Sequence, residues 1–243
     1  MIYDEIRDFY YNFSGKKCIL GYSFGGRAIF AMHTGGTGRQ FIAVYAVHAR
    51  EWVTARLALE HIRRGVAAGW GGWIVPLLNP DGAIISQTVN AMWKANMRGV
   101  DLNCNFDARW GTGSLNTRVR GAENCTGDYP FSEPETKALR DFTLKIVPCV
   151  TFSFHTKGGE IYWEFCGGGD EFGARILAAA TGYRAKLITG SAGGYKDWCI
   201  ERLNIPAYTI ECGDDHLSHP IKDVKDIREC FGALKFFTER YGR

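Results

Sequence analysis

Short apolar runs rich in β-branched residues alternate along this chain with stretches whose apolar residues recur at helical spacing. Residues 28–34, 41–48, 73–79, 149–155, 185–189 and 207–212 read as strands. These runs are hydrophobic almost without interruption, the pattern of strands covered on both faces. Helical spacing predicts helices over 3–13, 52–68, 133–146, 171–180, 195–202 and 222–241. In the second of these, Trp52, Ala55, Leu59, Ile62 and Val66 form a single stripe for burial. The third carries the fullest start signal: Ser132 as N-cap, Glu135 as its capping-box partner and Pro134 in the first turn. Strands interleaved with helices argue for an α/β domain with a mixed or parallel sheet.

Residues 80–131 break this rhythm. They carry Gly, Asn, Asp and Arg with no sustained period, and a long irregular segment in a dense domain is usually functional. Composition narrows the function classes. Hydrophobic residues make up 46% and charged residues 23% of the 243 positions, which is globular and not disordered. The net charge is +3 and the basic residues are scattered, so nothing points to nucleic acid. No apolar run is long enough to span a bilayer. The N-terminal residues show no secretory signal, which leads us to expect a cytoplasmic protein of one domain, 1–243. Eight cysteines without a CxxC pair then read as reduced thiols, with Cys104 and Cys125 able to pair in an oxidising compartment.

The candidate chemistry sits where strands end. The run 41–48 feeds His48-Ala49-Arg50-Glu51-Trp52, and strand ends opening into helices are where α/β sheets place sites. His48 and Glu51 are three apart, so one turn can aim both at a single point. Alone, HxxE recurs by chance. His155 closes another strand, and two histidines with one carboxylate are the ligand set of catalytic zinc, with a position open to water. Glu211 closes a third strand, where it can serve as general base. In the irregular segment, Arg98 can stabilise an oxyanion and Asp101 can orient a ligand histidine. Read singly, each is also an ordinary strand-end or loop residue.

Taken in order, His48-Ala49-Arg50-Glu51-Trp52, Asn79-Pro80-Asp81-Gly82, Arg98-Gly99-Val100-Asp101-Leu102-Asn103, Phe131-Ser132-Glu133-Pro134-Glu135-Thr136, Ser153-Phe154-His155 and Tyr208-Thr209-Ile210-Glu211 resemble the zinc metallocarboxypeptidases, the carboxypeptidase A-like or funnelin superfamily. The likeness covers nearly the whole chain. It implies a single α/β/α domain with an eight-stranded mixed sheet, Zn²⁺ held by His48, Glu51 and His155, Glu211 as base and Arg98 as the arginine that polarises the carbonyl. It further implies Asn103 and Arg50 as substrate-binding residues and Asp101 behind the first histidine.

Two departures stand out, one at Cys104 and one at Ile200, where members of the family place a mobile tyrosine two residues after the tryptophan. Members of the family carry, after the asparagine, an arginine that clamps the substrate's terminal carboxylate; here the residue is Cys104. A thiol cannot reproduce a bidentate guanidinium. This resembles the bacterial γ-D-glutamyl-L-diamino acid peptidases, as do residues 154–163 and 194–198, where Tyr195 offers a phenol for substrate. The expected partner is therefore a murein stem peptide, cut at γ-D-Glu–meso-diaminopimelate. The alternatives are a carboxypeptidase that holds the terminal carboxylate with Asn103 and Arg120, and a muropeptide-binding protein without catalysis.

Overall fold

The computed structural model describes residues 1–242. Along the chain run α1 (Ile2–Asn12), β1 (Lys17–Tyr22), β2 (Ala28–His33), β3 (Arg39–Tyr45), α2 (Val53–Arg64), β4 (Trp70–Val75), α3 (Pro80–Thr88) and α4 (Pro134–Ile146). Then follow β5 (Val150–Thr156), β6 (Glu160–Tyr162), β7 (Glu164–Phe165), β8 (Gly168–Gly169), α5 (Glu171–Thr181), β9 (Arg184–Lys186), α6 (Tyr195–Leu203), β10 (Ala207–Cys212) and α7 (Ala233–Arg240). Eight strands form one mixed sheet in the order β1-β2-β4-β3-β5-β10-β6-β9, and β7 and β8 make a separate two-stranded ribbon.

The middle of the sheet, β4-β3-β5-β10, is parallel, and β3, β4 and β5 are buried along nearly all their length. That burial explains their continuous hydrophobicity. Alternation of side chains divides each strand between two cores. Phe41, Ala43 and Tyr45 of β3 pack with α1, α2, α5 and α7; Ile42 and Val44 face the opposite core, with α4 and α6. The result is the expected α/β/α arrangement.

Local chemistry moves several boundaries. The helix expected to reach residue 68 stops at Arg64 because Gly65, at φ 64°, takes a conformation that costs other residues more. The single helix expected over 222–241 is a 3₁₀ segment, Val224–Cys230, followed by α7. Ser132 does not cap α4: its hydroxyl donates to Glu133 Oε1 at 2.8 Å, and Glu133 is the N-cap residue. Glu135 instead accepts from Phe24 N–H at 3.1 Å, tying α4 to the loop after β1. The irregular stretch holds one unforeseen helix, α3. Asn79 caps it by accepting from Gly82 N–H, with Pro80 in its first turn. Edge strand β1 was also missed, since its half-buried residues carry no strong pattern. No helix among the described residues is long and apolar enough to cross a membrane.

Candidate active site

β3, β5 and β10 lie side by side and parallel, so their C-terminal ends open on one edge. After β3 the chain turns at Ala46, with φ 48°. Thr54 pins this turn: its hydroxyl accepts from Ala46 N–H and donates to the Glu51 carbonyl, both at 2.8 Å. The 3₁₀ turn Ala49–Glu51 then folds Glu51 back toward His48. His155 comes from β5, and the parallel register sets Glu211 of β10 beside it.

His48 Nδ1 lies 2.8 Å from Glu51 Oε1, and His155 Nδ1 lies 2.9 Å from Glu51 Oε2. The two Nδ1 atoms are 3.1 Å apart. On the far side of the first ring, Nε2 faces Asp101 Oδ1 at 3.1 Å. A carboxylate only accepts, so Nε2 carries the proton and Nδ1 of the neutral ring carries a lone pair. Ser153 Oγ, 2.9 Å from His155 Nε2, can orient the second ring in the same way. Lone pairs from two imidazoles and one carboxylate therefore meet at one place, with ligand atoms all within 4.8 Å of one another. A divalent cation placed among them accepts all three at once. The donor set fits Zn²⁺ with a coordination position left for water.

Without a cation the charges shift as such convergence demands. Burial disfavours charge on His48, but Glu51 and Asp101 outweigh it and raise the imidazole to about 9. Glu51 is driven down, its burial overcome by the two histidines. Burial lowers His155. Burial and the nearby Glu51 carboxylate push Glu211 up to about 8.

Beside this cluster opens a cavity of ≈ 270 Å³, lined by His48, Glu211, Asn103, Cys104 and residues from the segment before α6. Asn103 Oδ1 accepts from Tyr195 N–H at 3.1 Å, fixing that segment against the loop. Cys104 is 8% exposed, and burial raises its thiol well above the usual range, so it offers the cavity a neutral group. All eight cysteines are free thiols, Cys104 and Cys125 included.

Four expected residues stand elsewhere. Arg98 does not line the cavity: its guanidinium lies 3.6 Å from both Glu133 and Asp128 and stacks on Phe24. From the same segment it is Lys94, four residues earlier, that faces the cavity, paired with Asp101 Oδ2 at 2.9 Å. Arg50 reaches Glu123 at 2.6 Å instead. Tyr195 is 1% exposed, its hydroxyl bonded to Thr143 and its ring packed on Phe106 and Trp198, because its position on α6 faces the core. Arg120, the other proposed carboxylate partner, is held by the Arg98 carbonyl and Asp128.

The sequence reading passed over Lys94, Tyr162, Lys196 and Asp197, which all line the cavity. Tyr162 follows from the pairing of β6 with β10, a strand too short to leave a pattern. The signal for Lys196-Asp197 was present: two adjacent charges amid the aromatic and apolar residues of 195–200.

A profile of the zinc carboxypeptidase family matches residues 70–169. The chain is 28% identical over 229 residues to Gamma-D-glutamyl-L-diamino acid endopeptidase 1 of Lysinibacillus sphaericus, covering 77% of this chain and 58% of that protein. It therefore spans somewhat more than half of that relative's length. Among solved structures, bovine thrombin-activatable fibrinolysis inhibitor, in complex with tick carboxypeptidase inhibitor, superposes with TM-score 0.86 at 22% identity, covering 98% of this chain and 94% of that one. Murein-tripeptide amidase MpaA from Escherichia coli O157 gives TM-score 0.69 at 25% identity, with 95% and 94% covered. The sheet order, the converging two-histidine, one-carboxylate cluster and the matched profile agree in making this chain similar to the zinc carboxypeptidases.

Proposed function

We propose that this protein hydrolyses an amide bond of peptidoglycan stem peptides, between γ-D-glutamate and the diamino acid. The observation that carries the reading is Cys104: the cavity beside the metal cluster presents a neutral thiol where a carboxypeptidase needs a guanidinium. A substrate that continues past the cut has no terminal carboxylate there to clamp. The likeness to a γ-D-glutamyl-L-diamino acid endopeptidase and to a murein-tripeptide amidase supports the same substrate class.

His48, Glu51 and His155 would hold Zn²⁺, which when bound supplies Lewis acidity for the scissile carbonyl and acidifies the attacking water. Glu211, partly exposed to the cavity, takes that water's proton and passes it to the leaving amine. A dication beside Glu211 acts against the burial that raises its carboxyl and favours the ionised base. Lys94 stands on the His48 side of the cavity and is the cation placed to stabilise negative charge on the carbonyl oxygen, the role first assigned to Arg98. Asp101 holds both Lys94 and His48, so one carboxylate positions a ligand and a cation together.

Incubation with γ-D-Glu–meso-diaminopimelate peptides of two to four residues, with products identified by mass, tests the reading. Release of diaminopimelate, or of peptides beginning with it, is expected. Exclusive removal of single C-terminal L-amino acids from ordinary peptides would assign a carboxypeptidase instead.

A further inference from the structure

Lys196 and Asp197 sit in the first turn of α6, 5% and 3% exposed, on the wall of the same cavity as Glu211. Lys196 Nζ donates to Asp197 Oδ1 at 2.6 Å and to the Glu164 carbonyl at 2.7 Å. The other Asp197 oxygen accepts from Gly194 N–H at 3.1 Å, capping the helix. Both oxygens of the aspartate are therefore engaged. An ammonium has three N–H donors; among the described residues two meet an oxygen acceptor, and the Phe165 ring, its centroid 5.5 Å away, offers only the weaker attraction of a π face. Burying an ammonium is expensive unless its donors are matched, so a third acceptor arriving through the cavity would complete it.

The other cations nearby serve other groups, Lys94 the scissile carbonyl among them. Lys94 is paired with Asp101, and Arg98 and Arg120 both turn to Asp128. Cys104 adds no charge. We propose that Lys196 binds a free carboxylate that the stem peptide presents next to the scissile amide. The proposal rests on the function read above for where the substrate lies, and it adds what the cavity selects. With both Asp197 oxygens already engaged, the pair turns a lysine donor rather than a bare carboxylate to the cavity, which suits an anion better than an ammonium group. In a stem peptide the carboxylate can belong to γ-linked D-glutamate, to the side chain of diaminopimelate or to the chain terminus.

Three pairs of peptides separate these sources: γ-D-glutamate against γ-D-isoglutamine, diaminopimelate against lysine, and free acid against C-terminal amide. In the wild-type protein, removing the carboxylate that Lys196 binds is expected to lower kcat/KM roughly 10- to 150-fold, the worth of a hydrogen bond to a charged group. Lys196→Gln should bring that ratio close to one, and Lys196→Arg should retain most of it. The pair that responds names the carboxylate. A ratio unchanged in Lys196→Gln, or a wild type that discriminates in no pair, overturns the proposal. Lys196→Gln leaves Asp197 buried without its cation, so Lys196→Gln/Asp197→Asn is measured alongside, with thermal unfolding of both. Should no stem peptide be cleaved, the murein reading fails separately. Calorimetric titration of the same pairs, and of benzoylglycyl-phenylalanine and its amide, into Glu211→Gln protein then reads affinity without turnover. Equal affinity with Lys196 and with Gln at that position would dispose of the carboxylate site.

Discussion

His61 and His48 are both withdrawn from solvent, at 2% and 7% exposure, yet their surroundings differ in kind. The Tyr45 hydroxyl donates to His61 Nδ1 at 2.5 Å, and His61 Nε2 donates to the Cys230 carbonyl at 2.7 Å. Each donor meets one acceptor, and burial holds the ring neutral, down at about 4. His48 has one such partner, Asp101, on its far side, but its near side meets a second imidazole and a carboxylate that also bring lone pairs. Burial of a histidine is thus no sign of function by itself. What marks a site is the crowding of like hydrogen-bonding roles, which a protein interior tolerates only when something else satisfies them.

The most severe way to break this contrast is to remove a ligand. His155→Ala or His48→Ala should abolish tight zinc binding, since two protein donors remain where catalytic zinc uses three. Near-stoichiometric zinc by elemental analysis in either variant would refute the ligand set. Glu211→Gln keeps the shape of the carboxylate without its basicity. A fall of about 10²–10⁴-fold in turnover is expected with zinc retained, and turnover near wild type would place the base elsewhere.

The core histidine should answer to pH rather than to metal. His61 sits near 4 in the folded protein and near 6.5 when unfolded, so protons bind the unfolded state better. Its contribution to stability is complete above pH 6.5 and is lost as pH falls toward 4, by up to roughly 3 kcal/mol. Urea unfolding from pH 7 to 4 should show a steeper loss in wild type than in His61→Gln; parallel curves would mean that His61 does not titrate on unfolding. A smaller effect sharpens the comparison from the other side. Asp101→Asn lets the amide present its N–H₂ to His48 Nε2 and removes the counter-charge of Lys94. Zinc affinity should fall about 10- to 100-fold, measured by competition with a chromogenic chelator. Unchanged affinity would mean the ring is oriented without Asp101.

Much of this molecule was legible in one dimension. The buried strands had to be hydrophobic throughout, so β2, β3, β5 and β10 appeared in the sequence within three residues of their observed bounds. His48, Glu51, His155 and Glu211 were visible because strand ends in such sheets share an edge, and register then sets the last two side by side. Residues 80–131 gave far less away. The cations in that stretch look alike as letters, and only packing shows that Arg98 turns to Glu133 and Arg120 to Asp128 while Lys94 faces the cavity. Tyr195 failed for a related reason. A phenol written beside a functional segment is as easily a core side chain, and which it becomes depends on the rotation of α6 against the sheet. Strand identity follows from periodicity, which is local and survives in sequence, and the ligand set from the ordered motifs that the chain shares with the family it resembles. Which loop cation reaches the site, and whether the cavity holds a thiol, a lysine or a guanidinium, depends on contacts between segments a hundred residues apart, and these exist only once the chain has folded.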